Sequence, residues 1–280
     1  MKKFILAVAL VSPMDCLSEK NQLLDHLKQN PFVYDMGVKV IESKKSNPEI
    51  TICCHGYGDS SRIINVINTY QVFSGTLLSF NFPDYNITAN TDHNKSSFGT
   101  VNEILPLLYI LKHCIYDLKL HSINLYGFSA GGGAIINALN ALVNQVWDKQ
   151  FEQIGIDAVD KKKILTAIEH GTIILDCPLK SVKEIIAFRG SNPALEIMAQ
   201  RYTQNNMNPI DVISSLEGIK ATIFLNFEKH DEVLSNSDDN VFVKRLSKAN
   251  FGQTLVSTSS NTGHCGYHTA LWENYRNFKK

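Results

Sequence analysis

The run Leu125-Tyr126-Gly127-Phe128-Ser129-Ala130-Gly131-Gly132-Gly133 sets one hydroxyl among four glycines, directly behind an apolar segment. Glycine weakens strands and helices alike, so the cluster costs stability unless the backbone needs it. Two readings fit: a tight strand-to-helix packing corner, or a bend that presents Ser129. An apolar strand, then G-x-S-x-G, then a helix is the setting of a nucleophilic serine on a sharp turn. Gly127 and Gly131 let strand and helix approach closely. A helix beginning near Ala130 points free N–H groups and its positive dipole end at charge forming beside Ser129. The cluster lacks the P-loop lysine and the G-x-G-x-x-G spacing, which makes nucleotide binding the weaker reading.

A serine hydroxyl is a poor nucleophile without a base, and the base needs an orienting carboxylate. For a serine on such a turn the chain order is serine, acid, histidine. Behind the apolar run ATIFLNF comes Glu228-Lys229-His230-Asp231-Glu232-Val233, and Asp231 is the carboxylate chosen, with Glu228, Glu232 and Asp176 in reserve. Behind QTLVSTS comes Asn261-Thr262-Gly263-His264-Cys265-Gly266-Tyr267-His268. His264, in a glycine-flanked loop, is the expected base and His268 its competitor. The stretch HGYGDS after ITICC turns the chain at His55-Gly56, leaving the Tyr57 N–H beside that of Ala130 as two donors for an oxyanion. A plain glycine turn with His55 as a structural hydrogen-bonder is the alternative.

These residues need elements to position them. ITICC (50–54), GTLLSFNF (75–82), HSINLYGF (121–128), TIILDC (172–177), ATIFLNF (221–227) and QTLVSTS (253–259) read as strands, several of them continuous apolar runs suited to burial on both faces. PFVYDMGVKVIES reads as a hairpin turning at Asp35-Met36-Gly37. Helical spacing marks LPLLYILKHCIYDL, with Thr100 and Glu103 as a capping box before it, and AIINALNALVNQVW, 157–170, 193–203 and 241–248. Strands alternating with helices predict an α/β protein with a mostly parallel sheet and helices on both faces. The connections across 130–171 and 178–220 are long for simple crossovers, so one or both are expected to carry a small helical cap, within 140–170, 178–215 or each.

The chain has 280 residues, which suits one large domain over 31–280 behind an extension at 1–30. Lys+Arg and Asp+Glu both number 27, so there is no electrostatic case for nucleic acid or an anionic surface. Lys161-Lys162-Lys163 reads as a solvated helix end. The six cysteines form no C-x-x-C pair and no zinc spacing, and they leave disulfides open. MKKFILAVALVSPMDC reads equally as an export signal without a clean cleavage site or as a first β-strand, so cytoplasmic and exported locations stay open. No other apolar run is long enough to cross a bilayer.

The segments ITICCHGYGDS, INLYGFSAGGG, TIFLNFEKHDEV and STSSNTGHCGYH resemble the α/β-hydrolase family, a likeness spanning about residues 33–280. It implies an eight-stranded, mostly parallel sheet and a catalytic set of Ser129, Asp231 and His264 with an oxyanion hole at Tyr57 and Ala130. The esterase, thioesterase and serine-peptidase branches are the nearest. The likeness implies a small-molecule, acyl or peptide substrate, and neither metal nor organic cofactor. Two features depart from the family: PDYNITANTDHNKSSFG stands where many members carry a compact Asp-x-Gly-x-Gly turn, and the 140–170 segment is unusually long. An acyltransferase with the same residues, or a non-catalytic binding protein on this fold, are the rival readings. Phe128, Tyr57 and Phe98 are candidates for an apolar acyl pocket.

Overall fold

The computed structural model describes residues 36–41, 49–69, 73, 75–83, 97–144, 147–236, 239–259, 263–264, 272–273 and 275–277. The ambiguous N-terminal segment, Asp35 with the first arm of the expected hairpin, Cys16, Cys265 and His268 lie outside them.

In chain order the elements are β1 (Lys39–Ile41), β2 (Ile50–Cys54), α1 (Ile63–Thr69), β3 (Thr76–Ser79), α2 (Leu105–Tyr116), β4 (Ile123–Phe128), α3 (Ala130–Val143), α4 (Asp148–Gln153), α5 (Ala158–Glu169), β5 (Thr172–Asp176), α6 (Val182–Arg189), α7 (Pro193–Gln204), α8 (Pro209–Val212), β6 (Thr222–Glu228), α9 (Asp239–Lys248) and β7 (Gln253–Ser259). The strands form one sheet in the order β1-β3-β2-β4-β5-β6-β7. β1 runs antiparallel to β3, and every other pair is parallel. The sheet is therefore mostly parallel as expected, with seven strands among the described residues where the resemblance implied eight.

The apolar runs form strands because both faces are covered. Successive residues point to opposite faces of a strand. Ile52, Leu125, Ile173 and Ile223 join the core packed against α2, α3 and α5. Their neighbours Cys53, Tyr126, Ile174 and Phe224 join the opposite core with Ile63, Ile64 and Ile67 of α1 and with Trp272 and Tyr275. α5 is opened by a capping box: the Asp157 side chain accepts from the Asp160 amide (2.8 Å), and Asp160 accepts from the Asp157 amide (3.2 Å). It packs against α2, α3, β4 and β5. α6 and α7 pack on each other in the second long connection.

Two local expectations change. Thr100 and Glu103 form no capping box before α2. Thr100 precedes a single 3-10 turn (Val101–Glu103) without a side-chain cap. Glu103 is drawn inward instead, where its carboxylate accepts from the Gly99 amide (2.9 Å) and the Tyr202 hydroxyl (2.7 Å). Lys161 is not solvated: it is buried, paired with Asp148, and lies over the Phe151 ring. Lys162 and Lys163 are exposed. Among the described residues no helix is long and apolar enough to cross a membrane.

Candidate active site

β2 pairs with β3 on one side and β4 on the other, so the chain reverses its winding direction between β2 and β4. Ligands in open α/β sheets gather at the carboxyl ends of the strands at such a point. The turn after β2 and Ser129 after β4 both stand there.

Ser129 joins β4 to α3 with φ 50° and ψ −119°, a conformation that side chains rarely adopt and that costs roughly 1–3 kcal/mol. Surrounding hydrogen bonds hold it there. Its amide donates to the Asp176 carbonyl at the end of β5 (3.0 Å), and its carbonyl accepts from the amides of Gly132 (3.0 Å), Gly133 (3.3 Å) and Leu179 (2.8 Å). The glycines permit the approach. A Cβ on Gly131 would stand 2.2 Å from the Cys54 carbonyl oxygen, and one on Gly56 would stand 3.1 Å from the Ser129 Cβ and 2.8 Å from the Phe128 ring. The turn after β2 thus lies directly against the serine. Among the described residues, no acceptor is matched to the amides of Tyr57 or Ala130.

That turn is braced by His55, which is fully buried. Its Nε2 accepts from the Phe82 amide (3.1 Å), so Nδ1 carries the proton and donates to the Gly56 carbonyl (2.8 Å). Burial lowers the pKa of this imidazole, outweighing the Gly56 hydrogen bond and the Asp59 charge. His55 is therefore a structural hydrogen-bonder that ties the turn to the exit of β3.

β7 lies three strands from β4, about 14 Å across the sheet at the usual strand spacing. His264, five residues beyond the end of β7, nonetheless stands with Nε2 2.9 Å from Ser129 Oγ. Its Nδ1 stands 2.7 Å from Asp231 Oδ2, in the turn after β6. Asp231 Oδ1 accepts from the amides of Val233 (2.8 Å) and Leu234 (2.7 Å). Burial pushes the Asp231 carboxyl upward, but the hydrogen bond and charge of His264 and the two amides more than offset it, and the net shift is below the usual range. The Phe128 ring stacks on the imidazole at 6.1 Å between centroids.

The reserve carboxylates are placed elsewhere. Asp176 is buried between the Tyr126 hydroxyl (3.0 Å) and the Asn226 amide (2.9 Å). Glu228 is buried and accepts from the His230 amide, and Glu232 stands near Gly263. Phe98 is fully buried with its ring edge-on to Tyr57, which is half exposed. The sequence passed over Lys180, a fully buried lysine beside this site. In Pro178-Leu179-Lys180-Ser181 it looks like an ordinary solvated residue before a helix, and no local signal marks it.

No family model matches the chain, and no curated protein matches it. Solved structures do. Est1E from Butyrivibrio proteoclasticus with ferulic acid bound is 13% identical with a TM-score of 0.55, over 87% of this chain and 94% of that one. An inhibited esterase B from Lactobacillus rhamnosis is 12% identical with a TM-score of 0.57, over 95% of each chain. An esterase from Pyrococcus furiosus is 15% identical with a TM-score of 0.53, over 98% of this chain and 94% of that one. Similarity this distant in sequence but spread over nearly whole chains is similarity of fold. With its mostly parallel sheet, its helices on both faces and these neighbours, the chain has the α/β-hydrolase fold.

Proposed function

We propose that the chain is a serine hydrolase that cleaves an ester, thioester or amide bond through an acyl-enzyme on Ser129. One observation carries the reading: a continuous relay from Ser129 Oγ through His264 to Asp231, at 2.9 and 2.7 Å. In this mechanism Ser129 attacks the acyl carbonyl while His264 Nε2 takes its proton. Asp231 holds the imidazole with its proton on Nδ1 and stabilises the positive charge that forms. The amides of Tyr57 and Ala130 bind the oxyanion, and each such donor is worth about 10²–10³ in rate. His264 returns the proton to the leaving group, and the same residues then activate water to release the acid. The esterases among the structural neighbours favour a carboxylic ester as substrate. Tyr57, half exposed and packed edge-on against the buried Phe98, supplies an apolar surface on the turn beside the serine, and the α6–α7 pair serves as a cap, joined by the Tyr202–Glu103 bond to the 3-10 turn that follows Phe98.

The test is labelling with a fluorophosphonate probe together with turnover of an activated ester. Wild type is expected to label at Ser129. Ser129→Ala should escape labelling and lose several orders of magnitude in kcat. Labelling at a different serine, or an unchanged rate in the variant, defeats the assignment. Product analysis with added alcohols or amines separates hydrolysis from acyl transfer.

A further inference from the structure

We propose that Lys180 is a positioning residue, a buried clamp that fixes the turn carrying Asp231 against the backbone that holds Ser129. The inference rests on the reading of Ser129, His264 and Asp231 as the reacting groups.

Lys180 is 1% exposed. Taking an ammonium out of water is costly unless its hydrogens all find acceptors and its charge finds a partner. Lys180 has two hydrogen-bond acceptors and two carboxylates to balance its charge. Nζ donates to the Ser235 carbonyl (2.6 Å) and to Asp239, pairs with Glu184 Oε1 (3.0 Å), and lies 5.7 Å from the centre of the Phe227 ring. A lysine suits this place better than an arginine, because a compact point charge can meet a carbonyl and two carboxylates from different directions.

The positions of those acceptors give the clamp its meaning. Ser235 directly follows Val233 and Leu234, whose amides grip Asp231 Oδ1. Asp239 opens α9 just beyond the same turn. On the other side, Lys180 directly follows Leu179, whose amide bonds the Ser129 carbonyl (2.8 Å). The Lys180 carbonyl itself accepts from the Ile210 amide (2.9 Å), so its backbone is anchored independently. The contacts therefore close a circuit: Ser129 to His264 to Asp231, through residues 233–235 to Lys180 Nζ, and through Leu179 back to Ser129. His264 can bridge hydroxyl and carboxylate only while their separation is held. The Lys180 side chain spans from the backbone beside Ser129 to the turn that carries Asp231.

The experiment compares wild type with Lys180→Met, which keeps the length and removes the charge. Asp239→Ala, which removes one tie at a partly exposed position, is the second variant. Ser129 labelling of wild type by a fluorophosphonate is measured first and counts the active sites. Three readings follow: kcat and KM per titrated site, the downfield proton resonance of the His264–Asp231 hydrogen bond, and thermal unfolding as a check on folding. Misplacing a catalytic group by about 1 Å can cost about 10²-fold. Folded Lys180→Met should therefore lose about 10²-fold in kcat with KM within about twofold, and its downfield resonance should broaden or vanish. Asp239→Ala, which leaves the Ser235 tie in place, should shift the turn less and lose about tenfold in kcat. A folded Lys180→Met with wild-type kcat and an intact resonance overturns the clamp. If that variant fails to fold, wild-type values in Asp239→Ala overturn it instead. If wild type is not labelled at Ser129, the hydrolase reading fails, and the resonance in the variants still decides whether Lys180 holds the Asp231 turn.

Discussion

Replacing Asp231 by asparagine should abolish most of the activity without disturbing the fold, and the reason lies in how the carboxylate is held. Oδ1 accepts from the Val233 and Leu234 amides, so an asparagine there must keep its carbonyl oxygen at that position. Its NH₂ group then faces His264 Nδ1, where the carboxylate Oδ2 stood at 2.7 Å. A donor facing Nδ1 forces that nitrogen to accept, and the imidazole's single proton moves to Nε2. Nε2 sits 2.9 Å from Ser129 Oγ and, once protonated, cannot take the serine's proton. The expected loss in kcat is about 10⁴-fold, the size found when the orienting acid of such a relay becomes an amide, or about 5 kcal/mol of barrier. The assay is hydrolysis of an activated ester alongside the rate of fluorophosphonate labelling, and both should fall together. Stability should carry the opposite-looking signature. The folded-state pKa of Asp231 is lowered. Its stabilising contribution is thus present above the unfolded value of about 3.9 and is lost as pH falls through the folded value. The stability gap between wild type and variant should close on acidification below about pH 4. Activity within about tenfold of wild type would refute the tautomer reasoning, since a mispositioned proton cannot be tolerated at that level.

Other perturbations probe the scaffold. Gly131→Ala places a methyl 2.2 Å from the Cys54 carbonyl oxygen. Strain of this kind costs typically 1–3 kcal/mol, so a lower melting temperature and a larger fractional loss of kcat than of stability are expected as the turn at 55–57 is pushed from Ser129. His55 has a lowered folded-state pKa. As pH falls from about 6.5 the unfolded state takes up a proton that the folded state refuses, so stability is lost toward acid by up to about 1.4 kcal/mol per pH unit from this group. His55→Gln should remove that component from a series of denaturant titrations across pH 5–7, and an unchanged slope would show that His55 is not its source. Tyr202→Phe removes a donor from the buried Glu103 carboxylate. The expected cost is about 1–3 kcal/mol in chemical denaturation, with catalysis affected mainly through KM if α7 helps to shape the site.

Much of the sheet was legible because its signals are local. Apolar runs such as ITICC and TIILD mark strands buried on both faces, and they appear as β2 and β5 within a residue of expectation. Ser129 stood out because glycines clustered at a strand end have a steric meaning that needs no knowledge of the rest of the chain, and the Gly131–Cys54 approach is that meaning in space. Glu103 misled because a capping box and an inward-facing carboxylate share one local pattern, and Tyr202, 99 positions away, decides between them.

The alternation of strands and helices, the bend at Ser129, and the acids and histidines standing behind later strands can all be read along the chain. These follow from backbone sterics and from the period of apolar side chains, which act over a few residues. It took the folded chain to set β7 three strands from β4 and still place His264 against Ser129. The folded chain also decided that Asp231, among four carboxylates in reach of a strand end, is the one whose oxygen meets His264. The physical reason is that strand order and side-chain convergence come from packing both faces of one sheet, a property of residues distant in sequence. The same packing buried Lys180, whose neighbours along the chain say nothing of the carboxylates that enclose it.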